Sequence, residues 1–293
     1  MRDNRYCLNA KKAKNDEFYT RYEDIEKEIQ HYDLSGKTVY CPCDDFRCSN
    51  FVRYFKTNYH RLHLAGLLAS NYDIGEGAYK YRYDGNVEVY VPTPTGDFLS
   101  PETDPMLDAC DIVITNPPFS KWREMFKRIM GSGKEFIVIC NGTVCGGKEM
   151  LGYFKDGRIW LGHKTFSGGM KFQAGPTFDI NKCKQKVRYD EKGSPLLLVP
   201  MAVWLTNLGP RWIRPLEDTR EYSPDRYPKY DGTDIINVDR VVDIPKDYYG
   251  EMGVPITFLE RYDPAVWELK GQVPKCSIGG NVKFARLLVQ RRR

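Results

Sequence analysis

The sequence predicts an α/β fold with a mostly parallel sheet and helices on both faces. Three observations carry this. Residues 111–115 and 136–140 are short, continuously apolar runs, as strands buried on both faces are. Between them Trp122, Met125, Phe126, Ile129 and Met130 recur at helical spacing. The same alternation of strand-like and helix-like segments begins near residue 20, and it is the pattern of parallel strands joined by crossover helices.

Taken in order, residues 1–15 read as a polar arm. Thr20-Arg21-Tyr22-Glu23 fits a capping box, with Thr20 as the N-cap and Glu23 reaching back. The helix it opens carries Tyr22, Ile25, Ile29 and Tyr32 on one face and ends at Leu34-Ser35-Gly36-Lys37. Thr38-Val39-Tyr40-Cys41 is apolar and β-branched, hence a strand. Residues 49–55 start a second helix, 60–68 are strand-like, and 87–91 alternate as a strand does. Gly131-Ser132-Gly133 stops the helix that follows residue 122. From about residue 150 Gly, Pro, Tyr and charged residues dominate, and only 196–200 and 202–206 stand out as strands. Residues 209–250, rich in Pro, Asp and Tyr, predict long ordered loops, which in compact proteins are functional or mobile.

With 293 residues, 41% of them hydrophobic, the chain can bury one large core, or a core and a smaller lobe. No run approaches the length of a membrane span, and no apolar signal-peptide core is present, so a cytoplasmic protein is expected. The nine cysteines are scattered, and Cys41, Cys43, Cys110 and Cys140 lie in or beside strand-like runs, as buried thiols in a reducing compartment do. Cys41, Cys43 and Cys48 are close together, but no second Cys–His pair follows at ligand spacing, so no metal is expected. The formal net charge of +5 decides little by itself, because nucleic-acid binding needs charge concentrated on one face. Local clusters exist at Lys182, Lys184, Lys186 and Arg188, at Arg211, Arg214 and Arg220, and at Arg291 to Arg293.

The sharpest chemical signal is Asn116-Pro117-Pro118-Phe119, directly after a buried strand. In parallel α/β sheets ligands bind beyond the carboxyl ends of strands. Two prolines fix the backbone and remove two N–H donors, so the turn presents carbonyl oxygens. The Asn116 side-chain oxygen and the Pro117 carbonyl suit the two hydrogens of an exocyclic amine on a flat base such as adenine, and Phe119 can stack on the ring. That amine is a poor nucleophile, since its lone pair is delocalised. Holding both hydrogens aims the lone pair at a methyl donor, so catalysis is orientation and electrostatics. An ordinary strand-ending turn is the competing reading.

Thr95-Gly96-Asp97-Phe98 offers a carboxylate and an aromatic ring suited to a cofactor adenine, although Gly-Asp alone is a common turn. Cys41-Pro42-Cys43-Asp44-Asp45 stands at the first strand end, the usual cofactor position, but lacks the expected glycines. Its carboxylates could bind a cofactor amino or hydroxyl group, or cap the next helix. Asn15-Asp16-Glu17-Phe18-Tyr19-Thr20 on its own is a helix start.

Together these segments resemble the EcoRI-type family of adenine-specific DNA methyltransferases over nearly the whole chain. Residues 15–20 look like that family's N-terminal cofactor segment, residues 39–45 like its glycine-poor first motif, and Asn116-Pro117-Pro118-Phe119-Ser120 like its catalytic motif. Trp204-Leu205-Thr206-Asn207-Leu208, Tyr227-Pro228-Lys229-Tyr230-Asp231 and Gly253-Val254-Pro255-Ile256-Thr257-Phe258-Leu259 resemble its later signatures.

The resemblance implies a Rossmann-like core dependent on S-adenosylmethionine over residues 1–205. Residues 206–293, packed on that core, would form a loop-rich part that helps recognise double-stranded DNA. It implies a flipped-out target adenine, with Asn116 and Pro117 holding the amine and Phe119 stacking. Phe18, Tyr19, Thr20, Cys41, Asp44, Asp97, Phe98 and Asn116 would line the cofactor pocket. DNA contacts are expected mainly in residues 160–250, from Lys164, Lys171, Lys182, Lys184, Lys186, Arg188, Arg211 and Arg214. A separately acting restriction endonuclease is a candidate partner. The tetrapeptide also occurs in RNA adenine and protein glutamine methyltransferases, so those substrates, and a non-catalytic DNA-binding protein, remain open at this point.

Overall fold

The computed structural model describes residues 18–72, 77–174, 186–191, 193–209, 211–217, 220–274 and 276–293. The chain divides into two compact units: residues 1–141 with 162–210, and residues 142–161 with 211–293.

The first unit is built on a central sheet. Its strands are β2 (Thr38–Pro42), β3 (Gly66–Asn71), β4 (Ala78–Tyr83), β5 (Glu88–Thr93), β6 (Ile112–Thr115), β7 (Glu135–Asn141) and β12 (Ala202–Thr206), in the spatial order β5-β4-β3-β2-β6-β7-β12. The four middle strands are parallel, and β4, β5 and β12 add antiparallel flanks. Strand order reverses between β2 and β6, which makes the crevice at their carboxyl ends the topological switch point of the sheet. The Rossmann-like α/β class is therefore observed, in a mixed sheet whose four middle strands are the parallel ones.

Helices α1 (Tyr22–Ile29), α2 (Asn50–Thr57), α3 (Asp104–Ala109) and α4 (Trp122–Ser132) connect these strands. Ile25 and Ile29 of α1 and Phe51, Val52, Tyr54 and Phe55 of α2 join the sheet residues Val39, Leu67, Ile114, Ile139 and Trp204 in one buried cluster. Ser49 caps α2, accepting from the N–H groups of Phe51 and Val52. Gly133, at φ 69°, ends α4 in the left-handed conformation that favours glycine. A second, four-stranded antiparallel sheet runs β1-β9-β11-β10, from β1 (Phe18–Thr20), β9 (Met170–Ala174), β10 (Lys186–Tyr189) and β11 (Pro195–Val199).

Two local expectations are corrected. Thr20 is not a helix cap. It is the last residue of β1, paired with Phe172 of β9, and the first helical bonds end instead on the Arg21 carbonyl, from Asp24 and Ile25. A β-branched residue beside an available strand edge gains more from pairing than from capping, and Arg21 completes the turn by its ion pair with Asp24. Nor is the strand near residue 60 so early. Residues 58–65 form turns, in which the Leu62 N–H reaches the Asn58 carbonyl and the Leu64 N–H that of Tyr59, and β3 begins only at Gly66.

The second unit holds α5 (Lys148–Lys155), β8 (Trp160–Leu161), β13 (Ile236–Asn237), β14 (Glu251–Val254), β15 (Trp267–Gln272), the hairpin β16 (Ser277–Ile278) and β17 (Asn281–Val282), and β18 (Leu287–Arg291). Its sheet has the order β13-β14-β18-β15. A single boundary at residue 205 is the expectation; the compact units are interleaved instead. The reason is packing: α5 lies against β15, and the Gln272 side chain donates to the Gly146 carbonyl at 2.6 Å. Residues 211–250 are indeed mostly loop, with β13 their only strand among the described residues.

Candidate active site

The site grows from the carboxyl ends of β2 and β6. After Pro42 the chain turns sharply at Cys43, whose φ of 67° is the left-handed conformation a glycine would adopt without strain. This is how a glycine-poor segment makes the tight turn. Asp44 follows, its N–H donating to the Ser70 carbonyl of β3 at 2.9 Å. The Asp44 carboxyl receives the Ser49 hydroxyl on one oxygen at 2.6 Å. Its other oxygen lies 2.8 Å from the Thr115 hydroxyl, which is also 2.5 Å from the Pro42 carbonyl. Thr115 is fully buried and is the last residue of β6, so one hydroxyl ties both strand ends together. Neighbouring Asp45 is held by Arg47 in an ion pair at 2.5 Å. Ser49, and not a carboxylate, caps the helix, and the Asp44 carboxyl accepts from the capping Ser49 hydroxyl.

Asn116 is half-buried immediately after Thr115. Pro117 is buried, and Pro118 leads into a short 3-10 turn in which the Lys121 N–H reaches the Pro118 carbonyl at 2.9 Å. Phe119 is half-buried and rests against the hydrophobic cluster of the first unit.

Asp97 is brought to the same end of the sheet. Gly96, at φ 58°, passes so close to β3 that a Cβ there would lie 2.0 Å from the Asn71 carbonyl oxygen. Only glycine fits. The Asp97 Oδ1 accepts from the Leu99 N–H at 2.9 Å, and Oδ2 has no hydrogen-bond partner among the described residues. Phe98 is only 1% exposed, its ring 6.0 Å from that of Tyr40 and covered by the Arg128 guanidinium at 5.2 Å. It supports the loop from beneath and leaves no open face. Cys41 is likewise fully buried, and burial pushes its thiol well above the ordinary range.

Tyr19 and Thr20 lie on β1, paired with Gln173 and Phe172 of β9. The Asn50 side-chain amide donates to the Thr20 carbonyl at 2.8 Å and to Gln173 of β9 at 3.2 Å. Cys48 is exposed, and its partial desolvation and the neighbouring Asp45 charge raise its thiol, opposed by a hydrogen bond with Tyr19. Phe18 belongs to β1, paired with Ala174. Asn15, Asp16 and Glu17 lie outside the described residues.

The expected DNA-contacting residues are dispersed. Lys164 is half-buried, its N–H on Glu28 at 3.0 Å and its ammonium on the Thr165 carbonyl at 2.7 Å. Lys171 on β9 and Arg188 on β10 are exposed, and Lys186 lies on β10. Lys182 and Lys184 lie outside the described residues. Arg211 and Arg214 belong to the second unit. Arg211 stacks on Trp160 at 4.7 Å and donates to the Gly157 carbonyl at 3.0 Å, while the Arg214 N–H bonds Glu260.

Sequence reasoning did not single out Thr115, Ser70 or Asn71. A threonine closing a β-branched strand is ordinary, so Thr115 gave no local signal. Ser49 was legible, because it stands just before Phe51 and Val52 where a cap is wanted.

The comparisons with known proteins agree with one another. The family described as "Adenine-specific methyltransferase EcoRI" matches residues 6–284. The chain is 37% identical to Type II methyltransferase M.EcoRI of Escherichia coli, over 99% of this chain and 97% of that protein. It is 35% identical to Type II methyltransferase M.MpnI of Mycoplasma pneumoniae, over 90% of this chain and 84% of that one. Type II methyltransferase M.MgeORF184P of Mycoplasma genitalium is 33% identical over 89% of this chain and 84% of its own length. No solved structure gives a significant match.

Proposed function

The chain belongs to the family of the adenine-specific EcoRI methyltransferase, and from that premise we propose that it methylates the exocyclic amine of adenine in double-stranded DNA, with S-adenosylmethionine as donor. The observation that carries the reading is the Thr115 hydroxyl joining Asp44 and Pro42, since it fixes the first-motif carboxylate beside Asn116 at the switch point.

The donor set fits the cofactor. S-adenosylmethionine supplies an electrophilic sulfonium methyl and carries an ammonium and an adenine. Asp44 offers a carboxyl oriented on both oxygens for a cationic group, and Asp97 Oδ2 offers an acceptor for an adenine amine. Tyr19, Thr20 and Asn50 border the same crevice. Cys41 and Phe98 take part only as the packed floor beneath these residues.

Asn116 and the Pro117 carbonyl hold the two hydrogens of the target amine, which turns the nitrogen lone pair toward the methyl donor. Phe119 stacks on the base, already braced by the core behind it. Flipping the adenine out of the duplex costs a few kcal/mol, and stacking and amine binding offset it. Lys171 and Arg188, exposed on the antiparallel β9–β11–β10 sheet, supply part of the DNA contact. The relatives' Type II designation supports a separate restriction endonuclease as functional counterpart. Among the described residues no helix is long and apolar enough to cross a membrane.

The test is transfer of labelled methyl groups to duplex DNA, RNA and protein in parallel, followed by modified-base sequencing of DNA from expressing cells. N6-methyladenine in one sequence context is the expected product. Label in RNA or in glutamine alone would replace the proposal.

A further inference from the structure

The two later sequence signatures, 227–231 and 253–259, play no part in the chemistry above, yet in the second unit they converge on one object. Asp231 accepts the N–H groups of Gly279 and Gly280, at 2.7 and 3.0 Å, and its own N–H bonds the Ser277 carbonyl. Those bonds and the Ser277 hydroxyl hold its carboxyl below the usual range. Tyr230 packs over Gly253, where a Cβ would come within 2.6 Å of the ring, and donates to Asn237 at 2.6 Å.

What they clamp is the hairpin β16–β17. Gly279 and Gly280 have φ of 57° and 77°, the two left-handed residues of a tight hairpin turn. A two-stranded ribbon this short has little stability of its own. Here its inner residues Ile278 and Cys276 pack against Tyr230, Ile235 and Val273. The residues on the way out do the opposite: Val282 is 87% exposed and Phe284 86%. The clamped hairpin thus presents a valine and a phenylalanine, two positions apart, to solvent.

Charge identifies the partner. Residues 270–293 contain seven Lys or Arg and no Asp or Glu, more than the net charge of +5 for the whole chain. Several are engaged: Lys270 with Glu251, Arg286 with Asp239, Arg291 over Trp267. Lys283, between the two exposed apolar residues, has no carboxylate partner among the described residues. An apolar tip carrying one lysine without a carboxylate partner, in a segment that has no Asp or Glu of its own, complements a polyanion with stackable, apolar interior surface, which is duplex nucleic acid.

We propose that residues 277–286 form a DNA-contacting hairpin, in which Phe284 and Val282 insert against the bases and Lys283 meets a phosphate. The inference rests on the DNA-methylation reading. It is tested with the full chain and end-labelled duplexes, one carrying the site found by sequencing and one scrambled, titrated at several salt concentrations. Phe284→Ala and Val282→Ala are expected to weaken binding, Phe284→Ala by about fivefold to a hundredfold, with the salt slope unchanged because no counterion is involved. Phe284→Trp should restore binding. Lys283→Ala should instead reduce the slope by about 0.9. Asp231→Asn, which loosens the clamp, should show a smaller loss in the same direction. Val282, Lys283 and Phe284 are exposed, so their variants leave folding intact. Parental affinity and slope in both apolar variants would overturn the proposal. So would unchanged DNA binding with loss of self-association, which would mean a second copy of the chain covers the tip. If the parent chain transfers no methyl group to duplex DNA, the proposed function fails as well, and that outcome is read before any variant is made.

Discussion

The Thr115 hydroxyl lies 2.8 Å from the Asp44 carboxyl, a contact between residues 71 apart in sequence that spans the switch point of the sheet. The one hydrogen of this hydroxyl is shared between the Asp44 carboxyl and the Pro42 carbonyl at 2.5 Å, and Asn116 is fixed one residue beyond Thr115. Strands β2 and β6 cannot slide past one another without breaking these contacts.

Thr115→Val keeps the shape of the side chain and removes the hydroxyl. An unmade bond to a buried polar group costs roughly 1–3 kcal/mol. The expected result is about tenfold weaker S-adenosylmethionine binding and a lower thermal midpoint. Thr115→Ser should restore both. Calorimetric titration and thermal denaturation of the three proteins decide whether the hydroxyl or the packing matters.

Asn116→Ala should nearly abolish methyl transfer, by a factor on the order of a hundred or more, and leave cofactor affinity near that of the parent. Asn116 is half-buried on a loop, so the fold should tolerate the change. Single-turnover transfer to the identified duplex is the measurement. Near-normal turnover would remove Asn116 from the mechanism.

At Asp97 the charge can be separated from the turn. Asp97→Asn keeps an acceptor for the Leu99 N–H but loses the charge offered to an adenine amine. A charge-assisted hydrogen bond contributes roughly 1.5–3 kcal/mol, so cofactor affinity should fall by about tenfold or more while stability holds. Unchanged affinity in both Asp97→Asn and Asp97→Ala would reduce Asp97 to a turn residue.

Glu28 predicts a pH dependence of stability. It is buried, and burial raises its pKa above the ordinary 4.5 despite bonds from the Tyr32 hydroxyl and the His163 and Lys164 N–H groups. The folded protein therefore holds this proton more tightly than the unfolded chain. Its contribution to stability is fully present below the unfolded pKa and is lost as pH rises through the raised folded one. Glu28→Gln removes that titration and leaves one N–H donor unsatisfied. The variant should be the less stable protein at acid pH, with the gap narrowing as pH rises. Denaturant midpoints from about pH 4 to about pH 8 would show it, and a constant gap would contradict it.

Charge reversal distinguishes the cations of the two units. Lys171→Glu and Arg188→Glu, both exposed, should weaken duplex binding and flatten its salt dependence. Arg211→Ala should lower stability of the second unit by about 1 kcal/mol, because it removes a cation–π contact with Trp160, and leave the salt slope alone. Equal salt slopes in all three variants and the parent would place recognition elsewhere.

Several features were legible in the sequence because they are local. The apolar runs at 111–115 and 136–140 are strands because continuous β-branched residues suit burial on both faces, and the 3.6-residue spacing from Trp122 to Ile129 fixes α4. Asn116-Pro117-Pro118-Phe119 had to fall at a strand's carboxyl end for the same reason. What the tertiary structure alone decided depends on partners distant in sequence. Thr20 joins a strand because β9 offers an edge more than a hundred residues later. The runs 195–199 and 202–206 look alike but enter different sheets, one beside β9 and β10, the other antiparallel to β7. Residues 142–161 leave the unit that precedes them because β15 provides the face that α5 buries. Periodicity reports which face of a segment is apolar, and it carries no information about which other segment will cover that face.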